Sequence, residues 1–159
     1  MSRTGKRMLY VLVGVIVVLV LVPVVFLATL SVSSKKPENL GVQQGHLSPC
    51  PDSPNCVSSR ADDAGHRIEP ISFKGSPDEA VARLKAALRN IPRTQIVSEK
   101  GDYLHAEATS LLFRFVDDVE FLVDRDAKVI HVRSASRVGH SDLGANRARV
   151  ERIREEFRE

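Results

Sequence analysis

The sequence predicts an α+β fold: a two-layer domain in which an antiparallel sheet of four to five strands carries two helices on one face, preceded by one transmembrane helix. Three observations carry that expectation. Residues 9–30 contain no charged side chain. Residues 76–91 repeat apolar side chains at three- and four-residue spacing, the period of a half-buried helix. From residue 95 onward the period shortens to two, with turn-forming residues between short runs.

The apolar run comes first. Its twenty-two residues, 9–30, would span about 33 Å as a helix, close to the hydrocarbon thickness of a bilayer. A helix also bonds every backbone N–H internally, which lipid demands. Pro23 removes one such bond and predicts a mild kink two-thirds of the way along. A cleavable signal peptide is the competing reading, with an apolar core of about 7 to 15 residues ending on small side chains. This run is longer, and Ala28-Thr29-Leu30-Ser31 is a poor cleavage site, so an uncleaved anchor is expected. No Cys follows it closely, which excludes a lipoprotein anchor. Arg3, Lys6 and Arg7 precede the run, whereas Lys35 and Lys36 follow it. The basic excess on the short side predicts residues 1–8 in the cytoplasm and the rest exported, periplasmic in a Gram-negative bacterium.

Residues 31–45 are polar, with Pro37, Gly41 and Gly45, and read as a linker holding the domain off the lipid. The globular domain is expected over residues 46–159, long enough to remove about two-thirds of its unfolded surface from water. It opens with Pro49, Pro51 and Pro54, which forbid a helix and a central strand. Residues 68–73 can form a short strand, confined to an edge by Pro70. Ser76-Pro77-Asp78-Glu79 then starts a helix, with Ser76 as N-cap, Pro77 at the first position and Glu79 closing a capping box. Val81, Leu84, Leu88 and Ile91 give it one buried face, and Pro92 ends it.

Residues 95–98 and 103–109 flank Glu99-Lys100-Gly101-Asp102, a hairpin signal. Val119, Phe121 and Val123 alternate with Asp118, Glu120 and Asp124, predicting a strand with one wet face. A turn at residues 124–127 leads into residues 128–134, where Ile130 and Val132 can be buried. Short turns between these strands favour an antiparallel meander. The second helix follows, capped by Ser141 or Asp142, with Leu143, Val150, Ile153 and Phe157 as its apolar stripe. Arg149, Arg152, Glu155, Glu156 and Glu159 would form its solvated face.

The net charge of +3 includes the three basic residues ahead of the anchor, and no basic stripe is interleaved with aromatics. Nucleic acid is therefore not an expected partner. Cys50 and Cys56 are the only cysteines, with five residues between them, and an even count in an exported domain points to a disulfide. Closing so small a loop contributes about 2 kcal/mol by the chain-entropy argument. Zinc would need further ligands, of which only His46 and His66 are near in sequence, so no metal or other cofactor is expected.

Two polar segments could carry chemistry. In residues 113–120, Asp117 and Asp118 lie beside Arg114, but adjacent acids on a strand point to opposite faces. One would cap a turn and the other would be solvated. Residues 133–142 join the last strand to the last helix, with Arg133, Ser134, Ser136, Arg137, His140 and Asp142. Two arginines, serines and a helix N-terminus suit a phosphate or carboxylate. The bland alternative pairs Arg133 with Glu120 across the sheet, while Asn146 and Arg147 tie the loop down.

The segments CPDSPNCVSS (50–59), FRFVDDVEF (113–121) and RSASRVGHSDLGANRARVERIR (133–154) together resemble the family catalogued as domain of unknown function 1499. The resemblance extends from Leu47 to Phe157 and implies a recurring module, often anchored or exported. It brings no activity, cofactor or catalytic residue with it. Its signature positions are Cys50, Pro51, Asp52, Ser53, Asn55 and Cys56, then Arg114, Asp117, Asp118, Arg133, Ser134, Ser136, Arg137, Asp142, Asn146 and Arg147.

The expected function is that of a membrane-anchored, non-enzymatic domain binding a small anionic ligand or an envelope protein. Arg114, Arg133, Arg137 and Arg147 would supply charge and Ser134 and Ser136 hydroxyl donors; the bilayer itself is a partner through residues 9–30. On that reading Arg133→Ala or Arg137→Ala weakens binding without unfolding the domain. One alternative is a hydrolase or transferase using Asp117, Asp118 or Asp142 with His140, which requires a pocket gathering them and a carboxylate of raised pKa. Another is a structural envelope module, marked by an exposed apolar patch.

Overall fold

A computed structural model describes residues 3–32 and 34–158. Helix α1 (Arg3–Val32) runs unbroken through Pro23, and its apolar side chains are exposed along nearly all its length; its one buried residue is the polar Ser31. It is long and apolar enough to cross a membrane. Then come β1 (Val42–Gln43), β2 (His46–Leu47), β3 (Cys56–Ser58), β4 (Ile71–Ser72) and α2 (Pro77–Asn90). The chain finishes with β5 (Thr94–Lys100), β6 (Tyr103–Thr109), β7 (Val116–Asp124), β8 (Val129–Ser136) and α3 (Ala145–Arg158).

The main sheet is antiparallel in the order β3-β8-β7-β6-β5, with β4 pairing the start of β8 beside β3. Strands β5 to β8 form the expected meander, because short turns can join only antiparallel neighbours. One face carries Leu104, Ala106, Val119, Phe121, Ile130 and Val132, and packs on Ala80, Leu84 and Leu88 of α2 and Val150, Ile153 and Phe157 of α3. Alternation puts these residues on one side of the pleat, and helical spacing aims the partners back at them. Ser76 caps α2 as its sequence predicts: its hydroxyl accepts from the Glu79 N–H, and the Glu79 carboxylate accepts from the Ser76 N–H.

The structure departs from the sequence expectations in four places. The sheet has six strands, because Cys56–Ser58 pairs with the edge of β8 once the chain is past Pro54. The segment read as linker folds onto the domain: β1 and β2 form a small hairpin, and the Gly41 N–H donates to Glu120 at 2.7 Å. The strand face read as wet is therefore buried, with Asp118 1% and Glu120 0% exposed. Alternation reports that the two faces differ, not that the polar one meets water. Finally, α3 starts at Ala145, so Leu143 precedes it and is exposed instead of joining its stripe, while Arg149 turns inward to Asp117. Glu159 lies outside the described residues.

Candidate functional site

The candidate residues divide between the two faces of the sheet. Asp117 and Asp118 do point to opposite sides, but neither is solvated. On the helix side, Asp117 accepts from Arg149 at 2.5 Å. Beside it Asn146, fully buried, uses its whole amide: Nδ2 donates to the Asn55 carbonyl at 2.9 Å and the Ser136 hydroxyl at 3.0 Å. Its Oδ1 accepts from Ser134 and Arg149, each at 2.6 Å. Asn146 reaches this place because Asp142 accepts its backbone N–H at 2.8 Å and that of Gly144 at 3.0 Å, which fixes the start of α3. Arg147 donates to the carbonyls of Gly65 and Arg67.

On the opposite face Asp118 accepts from His105 Nε2 at 2.8 Å and from both Arg137 Nε and Nη2. Arg137 also bonds Glu107. One rung further along, Glu120 accepts from Arg133 at 2.9 Å, Tyr103 Oη at 2.9 Å and the Gly41 N–H. Residues of the disulfide segment cover this face: Cys50 and Cys56 are bonded, their Cα atoms 5.7 Å apart, and the Arg133 Nε reaches the Pro49 carbonyl at 3.4 Å. Among the described residues no buried side-chain nitrogen or oxygen lacks a partner. The buried side chains of the sequence motifs are thus spent on one another.

Their electrostatics fit that closure. Burial would raise the Asp118 carboxyl, but hydrogen bonds from Arg137 and His105 outweigh it and hold the group below its ordinary range. Burial and the neighbouring Glu120 charge push the Tyr103 phenol well up. Asp142, despite partial burial, is held low by the N–H groups of Asn146 and Gly144. A depressed carboxyl stabilises the fold above its unfolded pKa, about 3.9 for Asp, and that contribution disappears as pH falls through the lower folded value. Unfolding titrations from pH 7 downward should therefore show stability falling below about pH 4, with a shallower acid dependence in Asp118→Asn. An equally steep fall in that variant would contradict the assignment.

Other chemistries find less support. His105, Glu107 and Asp118 bring ligand atoms within 4.8 Å of one another, but the Arg137 guanidinium lies between the two carboxylates and supplies the positive charge a cation would. The residues of the hydrolase alternative are not gathered: Asp117 and Asp118 are divided by the sheet, Asp142 caps α3 and His140 is exposed. Asp118 and Asp142 are lowered, the reverse of what a general acid requires. A depression of about 380 Å³ reaches Asp118, Arg133 and Arg137. Three carboxylates against two guanidiniums on that face leave no surplus charge for an anion. The larger cleft, about 980 Å³, is lined by Asp52, Asp62 and Asp63 against a single arginine, Arg60, and is also unsuited to one. In it His66 bridges Asp63 and the Ser53 carbonyl, and the bond to Asp63 raises its pKa.

Sequence reasoning missed His105, Tyr103, Glu107 and Arg149 as members of these networks. The signal for the first three was the period-two set opposite Leu104, Ala106 and Ala108 on β6. Arg149 offered none, since a basic residue near a helix start reads as solvated.

The remaining candidate, Arg114, lies at the end of the sheet where three loops meet. Asn55 Nδ2 donates to the Gly139 carbonyl at 2.6 Å, and the Arg137 N–H to the Val116 carbonyl at 3.2 Å, so loops 50–55, 110–115 and 137–144 share that end. Arg114 is exposed, with a positive φ of 59°. At the same end of the sheet Leu111, Leu112 and Leu143 are 69%, 80% and 97% exposed.

An α+β sheet domain behind a membrane-compatible apolar helix, its polar motifs consumed in holding loops to the sheet, is the class that fold and site define. The chain belongs to the family described as protein of unknown function, DUF1499, whose model matches residues 46–157. No curated protein matches the chain.

Proposed function

We propose that this protein is a membrane-anchored, extracytoplasmic module that works by binding rather than by catalysis, and that it binds through the loop end of its sheet. One observation carries the reading. The charges of the buried motifs are paired internally, whereas the three most exposed large apolar side chains among the described domain residues, Leu111, Leu112 and Leu143, share one end with exposed Arg114. An apolar surface beside a cation suits a partner with apolar and anionic parts. The anchor is α1, whose exposed apolar side chains need lipid around them. The Cys50–Cys56 disulfide supports the exported side of that membrane. The anionic ligand expected from the sequence becomes, on this reading, an anionic group met by Arg114, with Arg133, Arg137 and Arg147 as framework.

The test is photo-cross-linking of the full chain in its own membrane. A photoreactive residue replacing Leu112 should give a discrete adduct, while one replacing Asp126, in the turn at the opposite end of the sheet, should give none. No adduct at either place would contradict the proposal.

A further inference from the structure

We infer that the loop end docks onto the surface of the bilayer that holds the anchor, with Leu111, Leu112 and Leu143 entering the lipid interface and Arg114 meeting anionic headgroups. The inference rests on the reading of the chain as a tethered binding module and names the partner of that same surface.

Three observations carry it. First, the loop is built to present its leucines. Its ends are closed by the Ser110 N–H donating to the Phe115 carbonyl at 2.8 Å and the Phe115 N–H donating to the Ser110 hydroxyl at 2.9 Å. The Phe113 and Phe115 rings within the loop lie 5.9 Å apart. Leu111 and Leu112 are therefore exposed on a braced turn, not on a loose one.

Second, three residues at this end adopt left-handed backbone that non-glycine residues avoid: Arg93 at φ 58°, Arg114 at φ 59° and Leu143 at φ 54°. Leu143 is the sharpest case. A turn preceding a helix tolerates Gly or Asn there at little cost, and Gly144 follows with the same sign of φ. Left-handed residues also occur at Gln44 and Lys128, but a leucine both strained and 97% exposed serves no packing in the domain.

Third, the tether is too short for the domain to stand away from lipid. Helix α1 ends at Val32, and Pro37 lines depressions of the polar face that reach Asp118 and Arg137 on one side and Lys100, Tyr103 and His105 on the other. Five residue steps span at most about 18 Å fully extended. Pro37 therefore ties the chain to the face of the sheet itself, and Asp118 on that face is two residues, about 7 Å, from the start of β7 and the loop end. Lys35 and Lys36 in the same stretch add positive charge beside the membrane surface. A protein partner would have to enter that narrow gap, whereas the bilayer borders it.

Trp is absent from the sequence, so a single introduced Trp reports its own surroundings. The full chain carrying Leu112→Trp would be reconstituted in vesicles of phosphatidylethanolamine and phosphatidylglycerol, with and without lipid brominated in the upper acyl chain. The expected result is blue-shifted emission losing at least about half its intensity to the brominated lipid, with Asp126→Trp unquenched as the far-end control. Adding Leu111→Asp to the reporter should restore most of the lost emission, and replacing phosphatidylglycerol by phosphatidylcholine should weaken quenching if Arg114 meets anionic headgroups. Equal quenching at positions 112 and 126, or none at 112, overturns lipid docking. If quenching is absent but position 112 cross-links to a protein in the native membrane, the binding reading stands with a protein partner and only the lipid assignment falls. Absence of both overturns the two together.

Discussion

Arg133→Ala will lower the unfolding free energy of the domain by about 3 to 5 kcal/mol, the loss typical of leaving one member of a buried ion pair alone. The Glu120 side chain is fully buried and that of Arg133 is 5% exposed, so water cannot replace the lost guanidinium. Glu120 would keep the Tyr103 hydroxyl and the Gly41 N–H, which solvate its charge in part but do not neutralise it. Replacing both partners, Glu120→Leu with Arg133→Met, should recover the part of the loss due to unpaired charge, leaving the cost of the two stranded donors. Denaturant titration of the three variants measures this. An Arg133→Ala loss below about 1 kcal/mol would mean that the arginine is free for a ligand after all, as the sequence alone suggests.

The second large effect is expected at Asn146. Asn146→Asp keeps shape and volume but removes the two N–H donors that hold the Asn55 carbonyl and the Ser136 hydroxyl. It also adds a buried negative charge. The expected loss is about 2 to 4 kcal/mol near neutral pH, because two buried acceptors are left unsatisfied. Burial and the nearby Asp117 carboxylate, which already shares Arg149, would raise the new carboxyl against the pull of that guanidinium, so its penalty relative to wild type should shrink as pH falls and it becomes neutral. Paired unfolding curves at pH 5 and pH 8 check the sign; a penalty that grows toward pH 5 contradicts it. Since Asn55 and Asn146 hold loops 50–55 and 137–144 to the sheet, Asn146→Asp should also loosen the loop end.

These two sites show where sequence reading succeeds and where it stops. The capping box at Ser76, the helical stripe before Pro92 and the meander of β5 to β8 are local patterns, in which each residue's neighbours in sequence are also its neighbours in space. The cover over Asp118 and Glu120 is not local. It is made by residues near Gly41 and Pro49, whose irregular backbone has no period and whose contacts lie roughly eighty positions away. A charged alternation opposite an apolar one was therefore read as solvated when it is enclosed. Leu143 failed for a related reason: helical spacing fitted it to the α3 stripe, while the Asp142 cap started the helix beyond it. Of the candidate site, the residues were legible but their roles were not, because Arg133 and Arg137 look alike in sequence whether they hold a ligand or a carboxylate.

The central claim is that the motif residues lock the platform and the loop end does the binding. The most direct measurement compares photo-cross-linking of the full chain, in its own membrane, from position 112 at the loop end and from position 63 in the acidic cleft. Adducts are expected from position 112, lost when Leu111 is changed to Asp, and none from position 63. Adducts from position 63 alone would place binding in the cleft and contradict it.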